Sequence, residues 1–424
     1  MEISDVKYSQ YLQILREELL PAMGCTEPIA MAYAAAKARQ TLGAMPNKID
    51  IVISGNIIKN VKSVVVPNTG GLKGIAAAVA AGTVVGDADK QLEVLSFVKP
   101  EEIPQIGKFM DECQMTVMKA ESGKLLDIDL HMYKGTDSVR LRICDYHTNI
   151  VLIEKNGQVL LKRDENAAAG SETDRSVLNV HDILDFAESV RIEDVRDMLE
   201  RQIDYNLAIS EEGLRGNYGA SIGKTLLETR GDDVRVRARA QAAAGSDARM
   251  SGCELPVVIN SGSGNQGITA SVPVVVYAQE LGVSRETLYR ALAVSNLSTI
   301  HIKAHIGTLS AYCGAVSAGC GAGAGITYLY GGGYEHIKHT LVNAMAITSG
   351  IICDGAKPSC AAKIATSVDA GLLGYHMYRC GNQFYAGDGI VKSGIEHTIE
   401  TVGTLAHTGM ADTDRQICLL YTSP

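Results

Sequence analysis

The sequence predicts an α+β protein: a large all-α domain with a smaller α/β-sandwich-like domain inserted. Three features carry this expectation. Between about Lys48 and Asp164, short strand-like segments are separated by turn residues. From about Leu178 onward the chain reads as successive helices, many rich in Gly and Ala. Its 424 residues suffice for two or three domains and a large buried core. The expected units are N-terminal helices over 1–44 packing on the helical domain, an α+β domain over 45–165, an all-α domain over 166–417, and a tail, 418–424, foreign to the natural protein.

Taken in order, QYLQILREELL has helical spacing and IAMAYAAAKARQTL consists mostly of good helix formers. The link PAMGCTEP interrupts them with Pro, Gly and Thr, which sets Cys25 at a turn or a helix N-terminus. KIDIVISGNIIKNVKSVVVP predicts strands turning at Ser54, Gly55 and Asn56, and NTGGLKGIAAAVAAGTVVG predicts a loop feeding a helix. MTVMKAE, LLDIDLHMYKG, SVRLRICDY, NIVLIEKNG and QVLLKRD predict further strands. ENAAAGSETDRSV is polar and small, as a linker is. ILDFAESV, VRDMLERQIDYNLAISEEGL and TLLETR open the helical region. CLLYTSP breaks the helical pattern of TDRQI and ends in Pro, and Cys418 is assigned no role.

Composition narrows the function classes. A net charge of −9, no basic tract and 5% aromatic residues argue against a nucleic-acid partner. The start mixes acids with apolar residues and lacks a signal-peptide core, so a cytoplasmic location is expected. Ten cysteines in that compartment are free thiols or ligands rather than disulfides. Ile306 to Tyr334 holds no charged residue, a run long enough by count to span a bilayer. Its Gly, Ala, Ser and Tyr content predicts a buried helix instead, with no membrane partner. A homodimer is the default oligomer.

The chemistry-bearing residues cluster in a few motifs. Cys313 lies in AYCGAVSAGC; Cys353 and Cys360 lie in ICDGAKPSC, where Gly355 and Pro358 keep the backbone irregular and let two thiols converge. Small residues after Cys313 are expected to make room for a bulky cofactor. Such thiols admit an iron–sulfur cluster, a zinc site or ordinary burial. Cys320 competes with Cys313 as a ligand, whereas Cys113, Cys144, Cys253 and Cys380 read as plain thiols. In SGSGNQG, residues Ser261, Gly262, Ser263, Gly264, Asn265 and Gln266 precede an apolar run. Backbone N–H groups at such a loop-to-helix junction hold a carboxylate or phosphate; the plainer reading is a Gly-rich connection. The loop lacks the Lys-Ser/Thr of a P-loop and the βαβ setting of a dinucleotide fold. PNTGGLKG, with Asn68, Thr69 and Lys73, is a similar signal. His301 and His305 stand at i, i+4 in STIHIKAHIGT, as proton carriers, zinc ligands or a solvated helix end. A pyridoxal-phosphate lysine at Lys303, Lys357 or Lys363 has no local context to single it out.

Together, MGCTEP with Cys25, NSGSGNQG, and Cys313 followed by Cys353-DGAKPS-Cys360 resemble the L-cysteine desulfidase family, from about Leu15 to Thr413. That family is related to the α-domain of iron–sulfur L-serine dehydratases. The resemblance implies a [4Fe-4S] cluster on Cys313, Cys353 and Cys360 in the all-α domain, with Cys25 close to the fourth iron. It implies a lyase that eliminates sulfide from L-cysteine, leaving pyruvate and ammonia. Serine dehydratases carry a longer insertion between the last two ligands, so the six residues between Cys353 and Cys360 favour the desulfidase branch. On this reading the substrate carboxylate sits on SGSGNQG, helped by Asn68 and Thr69. Cys25, its pKa lowered at a helix N-terminus beside the cluster, is the first candidate base; His301 and His305 are held in reserve. The alternatives are an L-serine or L-threonine dehydratase with the same cluster, and a zinc-stabilised protein that binds an anion without catalysis.

Overall fold

The computed structural model describes residues 1–163, 173–307 and 309–422. Asp5 accepts from the Lys7 N–H and opens α1 (Val6–Glu18), whose Tyr8 and Tyr11 rings lie 5.4 and 5.6 Å from Phe186. A short strand, β1 (Pro21–Met23), turns through Gly24 into α2 (Thr26–Leu42). β2 (Lys48–Ile53) follows, with the period-two burial of a strand. The expected second strand is instead a helix, α3 (Gly55–Val61). Ile57, Ile58 and Val61 recur at helical spacing, and burial of Asn56 through Val61 lets packing override the β-branched residues.

α4 (Gly74–Val85) and α5 (Ile103–Glu112) precede β3 (Gln114–Lys119), β4 (Asp127–Lys134), β5 (Asp137–Cys144), β6 (Ile150–Lys155) and β7 (Gln158–Lys162). With β2 they form one sheet in the order β3-β2-β4-β5-β6-β7, parallel between β2 and β3 and antiparallel elsewhere. Ile128, Leu130 and Met132 of β4 pair with Ile143, Leu141 and Val139 of β5 on the apolar face, which α2 covers. The opposite face is charged, with Arg140 bound to Asp129 and Arg142 to Asp127. In the expected linker, residues 165–172 lie outside the described residues.

The helical part comprises α6 (Val180–Ser189), α7 (Ile192–Arg215), α8 (Ile222–Arg230), α9 (Val234–Met250), α10 (Gly264–Leu281), α11 (Arg285–Ile306), α12 (Gly314–Leu329), α13 (Tyr334–Thr348), α14 (Ser359–Arg379), α15 (Ile395–Thr404) and α16 (Ala411–Thr422). One extended segment, β8 (Pro256–Val258), interrupts it and pairs antiparallel with β1. α1 packs on α6, α7 and α11. α2, expected on the helical domain too, lies between the sheet and α4 instead. It is buried around nearly its whole circumference, which requires a layer on each side. α16 runs through Thr422, so CLLYT continues a helix that the sequence reading ended at Ile417; Cys418 is buried against Gly55.

No helix among the described residues is long and apolar enough to cross a membrane. The uncharged run becomes α12, buried among α10, α11, α13 and α14. Only its first small residues, Gly314 and Ala315, border a cavity; the later glycines, expected to leave space for a cofactor, bring backbones together instead. A Cβ on Gly321 would stand 2.5 Å from the Ser295 carbonyl of α11, and one on Gly319 2.4 Å from the Ser367 carbonyl of α14. Gly321→Ala should therefore lower the thermal midpoint, at the ~1–3 kcal/mol scale of overpacking. An unchanged midpoint in a thermal scan overturns this account of the packing.

α8 has no side-chain cap at Ser221. Its Gly223 N–H is met instead by Asp247 Oδ2 of α9 at 3.1 Å. Burial pushes the Asp247 pKa up to about 6, against the opposing pull of the Gly223 and Ile222 N–H groups, and its other oxygen has no partner. A carboxyl raised in the folded state favours folding most below its unfolded pKa, near 3.8, and loses that contribution as pH rises through about 6. Asp247→Asn should raise the thermal midpoint at about pH 8, by no more than about 3 kcal/mol, with the gain shrinking toward about pH 5. An equal gain at both pH values rejects the assignment.

Candidate active site

Two small ribbons bring distant motifs together. β1 pairs with β8 from Pro21 opposite Val258 to Met23 opposite Pro256, which sets the MGCTEP turn beside SGSGNQG. Arg249 Nε donates to the Gly24 carbonyl at 3.0 Å, and Thr26 Oγ1 to the Gly262 carbonyl at 3.0 Å. The second ribbon joins Tyr312 to Ile352. There the Cys313 N–H donates to the Ile351 carbonyl (3.1 Å) and the Cys353 N–H to the Ala311 carbonyl (2.6 Å), so two cysteines far apart in sequence stand side by side. Beyond them Gly355 takes a φ of +98°, and a Cβ there would lie 2.5 Å from the Lys59 carbonyl of α3. Only glycine lets the ICDGAKPSC loop cross α3 so closely.

Cys25, Cys313, Cys353 and Cys360 line one cavity of about 110 Å³. Cys25 is the N-cap of α2 and Cys313 the N-cap of α12; Cys360 lies in the first turn of α14, and SGSGNQG opens α10 with Ser263 as N-cap. None of these four helices has a side-chain cap, so their leading N–H donors are left for an anionic occupant. Lys59, Arg249 and Lys303 add positive charge to the wall. Burial pushes Lys303 down to about 8, although the Cys353 and Cys313 sulfurs favour its charge. The Cys313 thiol hydrogen-bonds Cys353 and, against burial and with the help of Lys59 and Lys303, holds Cys353 below the ordinary thiol range. Cys313 is raised correspondingly by that bond and by burial.

Cys25 behaves differently. Burial, then the Glu27 carboxylate, push its thiol up, and its Sγ donates to Glu27 Oε2 at 3.3 Å. The lowered pKa expected from the helix N-terminus is thus reversed. Burial alone would raise Glu27 as well, but His147 when protonated, its own N–H, the Cys25 thiol and Arg249 act to bring it below the usual carboxylate range. Asn60 Nδ2 donates to Glu27 Oε1 at 3.0 Å. His147, from the β5–β6 turn, lines the cavity with a buried Nε2 that has no hydrogen-bond partner among the described residues, and burial lowers its pKa.

The three sulfurs of Cys313, Cys353 and Cys360 do not all lie within 4.8 Å of one another. A single tetrahedral zinc with bonds of about 2.3 Å needs thiolates about 3.8 Å apart. Thiols spread around one cavity, beside uncapped helix N-termini, fit a multinuclear iron–sulfur group. Cys320 is buried within α12 and does not line the cavity.

Of the remaining expected residues, Ser261, Gly262, Ser263, Asn265 and Gln266 line the cavity, and Gly264 begins α10. Asn68 and Thr69 do not line it. Asn68 Nδ2 donates to the distant Leu95 carbonyl (2.7 Å), and Thr69 Oγ1 closes its own turn on the Val66 carbonyl (2.7 Å). His301 and His305 also lie elsewhere. They sit on the α11 face toward α15, where His301 Nε2 meets Glu396 at 2.6 Å and His305 Nδ1 meets the His301 carbonyl at 3.0 Å. Glu27, Lys59, His147 and Arg249 went unassigned in the sequence; only Glu27 carried a signal, through its place in MGCTEP. A second cavity of about 340 Å³ shares His147, Ser261, Gly262 and Lys303 with the first.

The cavity is small and concave, is ringed by thiols and helix N-termini, and carries Lys59, Arg249 and Lys303 beside Glu27. Residues 89–419 match the model of the serine dehydratase alpha chain family, and the chain belongs to that family, a lyase-type group of enzymes. It is 60% identical over 418 residues to a UPF0597 protein of Desulfitobacterium hafniense, covering 98% of this chain and 97% of that one. A UPF0597 protein of Lachnoclostridium phytofermentans is 52% identical, with 97% and 98% of the two chains covered. One from Treponema denticola is 48% identical, with 98% of each covered.

Proposed function

We propose that the protein is an iron–sulfur-dependent lyase that eliminates sulfide from L-cysteine to give pyruvate and ammonia. The observation that carries this reading is the convergence of Cys25, Cys313, Cys353, Cys360 and SGSGNQG on one cavity. Cys313, Cys353 and Cys360 would hold a [4Fe-4S] cluster, which when bound supplies a Lewis-acidic iron for the leaving group. The α10 N-terminal N–H groups bind the substrate carboxylate. His147, kept neutral by burial, takes the α-proton at its unpartnered Nε2, and Glu27 stabilises the resulting imidazolium. Cys25 stands beside the reacting group as a protonated thiol. The 2-aminoacrylate released hydrolyses to pyruvate and ammonia. The short Cys353–Cys360 spacing supports cysteine; the family description supports a second reading, L-serine with water as leaving group.

Anaerobic purification, followed by iron and acid-labile sulfide analysis and by pyruvate assays on L-cysteine and L-serine side by side, tests both readings. Cys313→Ser, Cys353→Ser and Cys360→Ser should each lose iron that the parent retains, while Cys320→Ser keeps it. Full iron in all three variants, or zinc in its place in the parent, sinks the cluster reading.

His147→Asn should lower kcat by about 10²-fold or more while leaving the cluster absorbance intact. Normal turnover in that variant moves the base elsewhere.

A further inference from the structure

α3 carries three buried polar side chains that reach different parts of the molecule. Asn60 Nδ2 bonds Glu27 at the cavity. Lys59 lines the cavity, yet its ammonium is bound by Asp414 Oδ1 of α16 at 2.6 Å. Asn56 Nδ2 donates to the other Asp414 oxygen at 2.9 Å. The Lys59 side chain is 1% exposed and that of Asp414 13%. The backbone of Lys59 meanwhile supports the cysteine loop through its close contact with Gly355. One seven-residue helix thus touches the C-terminal helix on one side and the Cys353–Gly355 segment and Glu27 on the other.

Stability is a poor explanation for such a pair. Desolvation consumes most of the attraction between buried charges, and apolar side chains of similar volume hold two helices together as well. An ion pair does what an apolar contact cannot: it fixes an ammonium at one point of a cavity wall.

We propose that Asp414 is a positioning residue: its ion pair with Lys59 fixes α3, and through α3 the ammonium and the Cys353–Gly355 backbone, which makes α16 part of the site. The inference rests on the cluster reading for its iron readout and is independent of it for its exchange readout.

The test compares wild type, Asp414→Asn, Lys59→Met and the double variant, each as apoprotein and after anaerobic reconstitution. Asp414→Asn strands a buried ammonium and should lower the thermal midpoint; the double variant removes both charges and should recover most of it. Positioning nevertheless predicts that amides over 353–357 exchange with deuterium about tenfold faster, or more, in the double variant as in both single ones. Chelator should strip the reconstituted cluster correspondingly faster, and Asp414→Glu should restore slow exchange. Wild-type exchange over 353–357 in the double variant overturns the proposal, whatever happens to protection in α16. Should Asp414→Asn not fold, the double variant carries the same comparison. If wild type takes up no iron, the cluster reading fails, and exchange in the apoprotein still decides this one.

Discussion

Helix N-termini carry unpaired N–H donors and partial positive charge, and such ends repel one another when they meet without an anion between them. Here the N-termini of α2, α10, α12 and α14 meet around one cavity, uncapped by side chains, with Lys59, Lys303 and Arg249 beside them. Glu27 is the carboxylate in that wall. Glu27, and Asp414 at the Lys59 ammonium, offset part of that charge, and thiolates or an anionic ligand at the centre would offset more. Other features follow from bringing these ends so close. α12 approaches α11 and α14 along glycine faces, and the two ribbons, β1–β8 and Tyr312–Ile352, fix which residues lead each helix into the cavity.

The two halves of the fold contribute different chemistry to this point. The helical part supplies Cys313, Cys353, Cys360, Lys303, Arg249 and the anion loop. The sheet and the helices around it supply Glu27 at the start of α2, Lys59 and Asn60 on α3, and His147 in the β5–β6 turn. Three of the cavity thiols and the SGSGNQG loop thus come from one side, and Glu27, Lys59, Asn60 and His147 from the other. Their electrostatic coupling through Glu27 and His147 gives the sheet a part in the site beyond support.

Local sequence signals were legible where the chemistry is local. Pro and Gly around Cys25, the small-residue helix after Cys313 and the SGSGNQG junction all mark helix starts, and each is one. The failures share a cause: direction in space is not encoded by spacing. His301 and His305 do share a helical face, but it is the face toward α15. Asn68 and Thr69 resemble an anion loop yet spend their side chains on backbone carbonyls, Asn68 on Leu95 and Thr69 on Val66 of its own turn. β-Branched residues in α3 read as strand until burial is known, and the later α12 glycines, unlike Gly314 at the cavity, read as space until α11 and α14 fill it. His147 and Arg249 had no signal, because a hairpin turn and the last turn of a helix acquire meaning only through long-range pairing.

Cys25 and Cys353 show how one chemical group is divided between two tasks. Both thiols line the same cavity, Cys25 buried and Cys353 partly exposed, and desolvation acts to raise both. At Cys353 the bond from Cys313 and the charges of Lys59 and Lys303 overcome that penalty, so this sulfur is prepared to be a thiolate. At Cys25 the Glu27 carboxylate adds to the penalty and accepts the thiol proton, so this sulfur is prepared to stay neutral. Groups whose environments push their ionisation apart act in different roles at a shared centre. On the proposed reading, a thiol held neutral by its neighbours would be a weak permanent ligand and would leave an iron open to substrate. This supports reading Cys25 as a companion of the reacting group, with Glu27 as the residue that sets its state.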